Sequence, residues 1–329
     1  MRNYRTDLVI EAPGVDAREG PAGLPGVSVS ERRLSRDILV TTVAIEGEAG
    51  EAALGRPRGT YVTIESGLMK ENEPEAHEEI MRALADELGR LHSLPEEAQV
   101  LVAGLGNRNV TPDALGPKVV ARTLVTRHLG EAMPKGIAGR LRPVSAIAPG
   151  VMGQTGAETG EIIAGIAEKV KPDLIIAVDA LAARRASRIN ATIQMSDTGI
   201  SPGAGVGSRR MSIDEKTLGV PVIAVGVPTV VDAATLVGDT IDICLEQMIS
   251  ETERGSDFYK MLSELEREEK YGIIRKILDP YDKNMFVTPK EVDAVVERLA
   301  AIIGNAINIG IHKGITKDDI DRYSRDLAN

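Results

Sequence analysis

Two short apolar runs constrain this chain more than anything else in it. Residues 99–103 read Gln-Val-Leu-Val-Ala and residues 174–178 read Leu-Ile-Ile-Ala-Val. Each has the length of a strand and almost no polar member, the pattern of parallel strands buried on both faces. Each also leads to an acid. The first passes through Gly104-Leu105-Gly106-Asn107 to Thr111-Pro112-Asp113, and the second ends directly on Asp179. Residues just past the carboxyl ends of parallel strands line the ligand crevice of an α/β sheet. Two aspartates so placed can meet across one cleft, and carboxylates sharing a proton can activate water against a peptide bond.

The flanking pattern agrees with such a sheet. Residues 8–66 read as short β-branched strands punctuated by Gly and Pro. Ile80, Leu84, Leu88 and Leu91 recur at helical spacing through 75–94, and Pro95 stops the run. Strand-loop-helix units follow. Strand 99–103 leads to a helix over 113–128, with Thr111 as its N-cap and Pro112 at its first position. Strand 144–147 leads to a helix over 159–170, and strand 174–178 to a helix starting near Ala180. Strands 191–195 and 222–226, then helices over 229–250 and 291–309, complete the series. The expected fold is α/β: a mostly parallel central sheet with helices on both faces, plus a small N-terminal β-rich part. Residues 251–283, dense in Glu, Arg and Lys, read as a mobile or helical insertion, and the polar tail 313–329 is expected to fray. No linker divides the chain and no internal repeat is visible.

Composition excludes several function classes. The chain of 329 residues has no Trp, two Phe and six Tyr, so its core is aliphatic and base-stacking platforms are scarce. A net charge of −10 argues against affinity for phosphate backbones. Cys244, the one cysteine, excludes an intrachain disulfide; it lies in an apolar helical stretch and is expected to be a buried, inert thiol. The N-terminus has no apolar signal core and no run is read as long enough to span a membrane, so a cytoplasmic location is expected. His77, His92, His128 and His312 are scattered without ligand spacing, so neither metal nor cofactor is expected.

Each candidate also has a plain structural reading. Asp113 can simply favour the positive end of a helix dipole, and Asp179 can simply cap a helix from Ala180. The residues alone leave both readings open. Gly104-Leu105-Gly106 lacks the third glycine of a dinucleotide fingerprint, since Asn109 stands there. Gly199-Ile-Ser-Pro-Gly-Ala-Gly-Val-Gly207 has no Gly-Lys-Ser/Thr after it, which excludes a Walker loop; it reads as a flexible loop beside the cleft.

Longer stretches carry a resemblance. Leu105-Gly106-Asn107 with 110–118, 142–147, 149–156, 176–184, 190–194 and Gly226-Val227-Pro228-Thr229-Val230-Val231-Asp232-Ala233 all resemble the germination protease of endospore-forming bacteria, and 287–293 returns to it. The resemblance covers most of residues 4–245. It implies an endopeptidase that degrades small acid-soluble spore proteins in the spore core during germination. It also implies an atypical aspartic mechanism with catalytic acids at Asp113 and Asp179, and a homotetrameric, self-processing zymogen. The family fold is similar to that of hydrogenase-maturating peptidases, which share a Gly-x-Gly-Asn turn but use metal-ligating residues. Arg5-Thr6-Asp7-Leu8-Val9-Ile10-Glu11-Ala12 resembles the family's self-cleavage sequence, which implies a cut between Asp7 and Leu8, a propeptide of 1–7 and a single peptidase domain of 8–329. Val9 departs from the usual small residue. An Arg or Lys is expected to read the acidic residue before the cut. The alternatives are a metal-dependent peptidase of hydrogenase-maturation type and a non-catalytic scaffold. Neither nucleic acid nor membrane is expected as a partner.

Overall fold

A computed structural model describes the chain apart from residues 1–5, 13, 16–22, 36, 133–139, 204–209, 252–284 and 321–329. The insertion expected at 251–283 therefore lies almost wholly outside the described residues. The strands are β1 (Val27–Arg33), β2 (Leu39–Ile45), β3 (Gly59–Glu65), β4 (Val100–Gly104), β5 (Val144–Ile147), β6 (Leu174–Ala183), β7 (Thr192–Ser196), β8 (Val222–Asp232) and β9 (Phe286–Val287). They form one sheet in the order β1-β2-β3-β7-β8-β6-β4-β5, with β9 against β8.

The α/β class is as expected, but the parallel character is confined to one half. β5, β4, β6 and β8 pair in parallel, while β1, β2, β3, β7 and β9 join antiparallel. The N-terminal β-rich part, β1–β3, belongs to the same sheet. A short connection joins β1 to β2, the segment carrying a helix at Glu48–Leu54 returns the chain antiparallel as β3, and β3 docks on β7 to extend the sheet.

The helices include α1 (Glu48–Leu54), α2 (Pro74–Leu91), α3 (Leu115–Val120), α4 (Met152–Thr155), α5 (Thr159–Val170), α6 (Glu215–Leu218), α7 (Ala233–Glu251) and α8 (Val292–Ile311). Alternate residues of β4 face opposite layers: Val100 and Val102 join a core with α2, α3 and α8, while Leu101 and Ala103 pack with Ile163 and Ala167 of α5. A third cluster matters more for function. Leu8, Val9, Ile10 and Ala12 are buried with Val43, Ile45, Tyr61, Leu181 and Val231, so the N-terminal segment is part of the core.

Several boundaries depart from the sequence reading, each for a tertiary reason. The helix expected over 113–128 stops at Val120. Buried Asn308 of α8 accepts from the Leu124 amide and donates to the Arg122 carbonyl, taking backbone groups a further turn would need. No helix starts at Ala180. β6 continues to Ala183 because β8 runs beside it, and this pairing overrides the helical propensity of Ala180-Leu181-Ala182-Ala183. Likewise β8 reaches Asp232, and α7 begins at Ala233 rather than Thr229.

Cys244 is exposed rather than buried, because burial on α7 is strongest at its first residues and Ile243 and Met248 are exposed as well. One run does reach membrane-spanning length: α8 has 20 residues and a mean hydropathy of 1.5, with 61% of that stretch buried in the protein. It packs as a core helix against α2 and α3.

At the end of α8, His312 is 3% exposed and its Nδ1 accepts from the Arg142 amide. Burial lowers its pKa to about 4; the Leu124 backbone opposes the shift and the Arg142 guanidinium adds to it. The folded state thus holds the neutral imidazole while the unfolded chain takes up a proton near its usual pKa of 6.5. Stability should fall as pH drops from about 6.5 towards 4, by about 3 kcal/mol in all. Urea midpoints for wild type and His312→Phe check this: the variant's stability should be flatter across that window, and equal slopes would exclude the assignment.

Candidate active site

The parallel half of the sheet places both sequence-predicted acids at one cavity. β4 ends at Gly104, and the chain turns through Gly106 into a short 3-10 turn, Thr111–Asp113, before α3. Gly106 has φ +100°, and a Cβ there would lie 2.1 Å from the Asp113 backbone oxygen. Only glycine lets the strand end pass so close to the acid. The Asn107 amide donates to Asp113 Oδ2 at 2.7 Å, and the Asn107 side-chain oxygen accepts from the Asn109 amide and Gln154 Nε2. Thr229 Oγ1 donates to the Pro112 carbonyl at 2.7 Å, tying the turn to β8. Gly106→Ala should therefore move Asp113 and slow any reaction that uses it by about 100-fold, with the chain still folded. Circular dichroism beside a rate measurement checks this, and an unchanged rate would exclude the positioning role.

Asp179 comes from inside β6, not from its end. Its strand partner is Gly226 of β8, which in turn pairs with Gln194 of β7. Paired residues share a face, so Asp179, Gly226 and Gln194 form one row across three strands. Asp179 is 6% exposed, and Asp113 and Asp179 line the same cleft, whose volume is about 690 Å³.

Electrostatics separate the two acids. Burial raises the pKa of Asp179 well above the usual carboxylate value, the Asp113 charge raises it further, and Asp7 adds to the effect; the Ala180 amide and Arg210 oppose it. Asp113 is raised less decisively: burial lifts it, while the Asn107 amide and Arg210 pull it down. Burial and the neighbouring Asp113 charge thus both favour the neutral form of Asp179.

One residue of the expected processing site reaches the same cleft, and the other is packed in the core beside it. Asp7 lines the cleft with Asp113 and Asp179. The Asp7 amide donates to the Ala182 carbonyl at 3.0 Å, and Asp7 Oδ2 accepts from the Ala182 amide at 2.8 Å. A backbone amide thus meets the carboxylate of the residue before the expected cut, and Arg56 and Arg210 line the same cleft. The β6–β8 register shifts between Leu181 and Ala182, beside the residue that receives Asp7. Leu8 is fully buried, and its amide donates to Thr6 Oγ1 at 3.1 Å. Arg56 donates to the Thr6 carbonyl at 2.6 Å.

Gln194 holds the segment on both sides: Nε2 donates to the Asp7 carbonyl at 3.1 Å and Oε1 accepts from the Val9 amide at 2.6 Å. Glu11 anchors its far end, accepting from the Arg184 and Arg185 amides at 2.6 and 2.9 Å beside the Arg188 guanidinium. The sequence reading had no role for Gln194, Arg56, Arg188 or Arg210. The signal for Gln194 was a lone amide between Ile193 and Met195 in a buried strand. Of the Gly199–Gly207 loop, Gly199 to Gly203 line the cleft, and 204–207 lie outside the described residues.

A family model described as germination protease matches residues 6–257 and 246–324. A germination protease from Clostridium acetobutylicum is 48% identical over 326 residues, covering 98% of this chain and 99% of that protein. One from Clostridium perfringens is 47% identical over 323 residues, with the same coverage. One from Bacillus thuringiensis is 41% identical over 358 residues, covering 98% of this chain and 97% of its own length. A solved [NiFe] hydrogenase maturation protease, HycI from Thermococcus kodakarensis, aligns at 18% identity with a TM-score of 0.31, over 64% of this chain and 92% of its own, a likeness too slight to carry an argument.

Proposed function

This chain belongs to the germination protease family, and from that premise we propose that it is a self-processing aspartic endopeptidase whose acids are Asp113 and Asp179. The observation that carries the reading is the position of Asp7: the residue before the expected cut lines the same cleft as both acids. In this reading residues 1–7 are the propeptide and 8–329 the peptidase domain. In the same reading Asp7 stands where the residue before a substrate's cut would stand, and the uncut chain is a zymogen.

The chemistry follows from the different environments of the two acids. Asp113, whose carboxylate the Asn107 amide stabilises, takes a proton from water. The water oxygen adds to the Asp7 carbonyl carbon, and the carbonyl electron pair moves to oxygen. As the bond breaks, its electrons go to the Leu8 nitrogen, which takes the proton held by Asp179. The Ala182 amide favours an acidic residue before the cut, because a carboxylate is the better acceptor for it. Small acid-soluble spore proteins are the proposed substrates in trans, in the spore core, with the chain acting as a homotetramer and without nucleic acid or membrane as a partner.

Purified protein, incubated and sequenced from its N-terminus over time, tests the reading. A new start at Leu8 that forms equally fast in a metal chelator supports it. Loss of cutting in chelator, restored by one metal, would favour a metal-dependent peptidase. No cutting at any pH would favour a scaffold.

A further inference from the structure

We infer that Gln194 is a catalytic residue of this site, its side-chain amide supplying the hydrogen bond that stabilises the oxyanion. The inference rests on the self-cleavage reading above and adds a residue to it. The oxygen that Gln194 Nε2 contacts is the carbonyl of the Asp7–Leu8 bond itself, at 3.1 Å. The orientation of the amide is determined by its partners. One is a backbone N–H, at Val9, which only Oε1 can accept, and the other a backbone C=O, at Asp7, which only Nε2 can meet. Gln194 therefore spans the bond, one atom on the residue before it and the other on the second residue after it.

Three features make this grip more than docking. First, Gln194 is 9% exposed on β7, which is paired on both sides, with Thr63 opposite it on β3 and Gly226 on β8. Its backbone is fixed before any reaction, as a preorganised donor requires. Second, both side-chain hydrogen bonds go to the N-terminal segment rather than to its own sheet. A buried amide in a strand of Ile193 and Met195 would otherwise be a liability. Third, Gln194 and Asp179 lie in one row across β7, β8 and β6, so donor and acid stand on the same face of the sheet and line the same cleft. When water adds at the Asp7 carbon, negative charge collects on the oxygen that Nε2 already contacts. The bond from Val9 to Oε1 polarises the amide and makes Nε2–H a stronger donor. Because Oε1 meets backbone rather than side chain, the same grip suits any extended peptide entering the cleft.

The test is single-turnover self-cleavage of the full chain, followed as formation of the Leu8 N-terminus across pH 3 to 8 (roughly the range over which carboxylates titrate). Gln194→Glu keeps an acceptor for the Val9 amide and, when ionised, replaces the donor to the Asp7 carbonyl with a negative charge. It should cut about 100-fold slower than wild type near neutral pH. The deficit should shrink as pH falls, because a protonated carboxyl regains an O–H donor. Gln194→Leu should be slow at every pH. If both variants cut within about threefold of wild type while Asp179→Asn does not cut, the inference falls and the aspartic reading stands. A Gln194→Glu deficit that stays constant with pH would also overturn it, since loss of docking has no such profile. If wild type never yields Leu8, or Asp113→Asn and Asp179→Asn cut normally, the self-cleavage reading fails and this inference with it. Should Gln194→Leu fail to fold, the pH profile of Gln194→Glu decides alone.

Discussion

Asp179→Asn protein should remain at full length under conditions in which wild type is expected to convert to a form beginning at Leu8, its self-cleavage slowed by at least about a thousandfold. Asn matches the size of the acid and resembles its protonated form, the form that burial and the Asp113 charge already favour. The fold should therefore be undisturbed, with an unchanged denaturation midpoint. What Asn cannot do is release a proton to the Leu8 nitrogen. Asp113→Asn should lose comparable activity for the opposite reason, since it cannot take a proton from water. Wild type needs one proton on the pair, so its rate should hold to a pH above the ordinary carboxylate range and fall where Asp179 ionises. N-terminal sequencing of each variant over time, beside thermal unfolding, is the measurement. Normal processing in either variant removes that residue from the mechanism.

Arg188→Met should lower the stability of the chain by about 3–5 kcal/mol and loosen the segment that carries Asp7. Arg188 lies 3.4 Å from Glu11 and donates to Glu65 at 2.9 Å, and its side chain is 12% exposed against 1% for Glu11. Removing the cation leaves a buried carboxylate with only the Arg184 and Arg185 amides and the Thr6 hydroxyl. That charge is best relieved by lifting the segment out of the core it shares with Val43, Tyr61 and Val231. Chemical denaturation measures the first effect and the rate of limited proteolysis near residues 6–12 the second. An unchanged midpoint with unchanged protease resistance would show that Glu11 is held by the backbone amides alone.

Some of this architecture is legible one residue at a time. Burial on both faces showed in the runs at 99–103 and 174–178 because every residue of β4 and nearly every residue of β6 must be apolar there. The Gly106 turn was visible because a positive φ at close approach admits almost nothing else. The end of α3 was not visible. It depends on Asn308, an amide far along the chain whose capture of the Leu124 amide leaves no local trace. Asp179 was found for a reason that proved incomplete. It marks the end of an apolar run but not the end of a strand, because β8 holds β6 extended through helix-forming residues.

Sequence alone was enough to determine the α/β class, the two acids as candidates and the segment around Asp7, since these follow from hydrophobic burial, turn chemistry and long contiguous likeness. Tertiary structure alone decided that Asp7, Asp113, Asp179 and Gln194 share one cleft. It also decided that the Ala182 amide meets the Asp7 carboxylate, and that Gln194 reaches the carbonyl of the bond expected to be cut. The reason is physical. Propensity and burial act on neighbours along the chain, whereas a hydrogen bond between residues 7 and 194 exists only once strand register has brought them together.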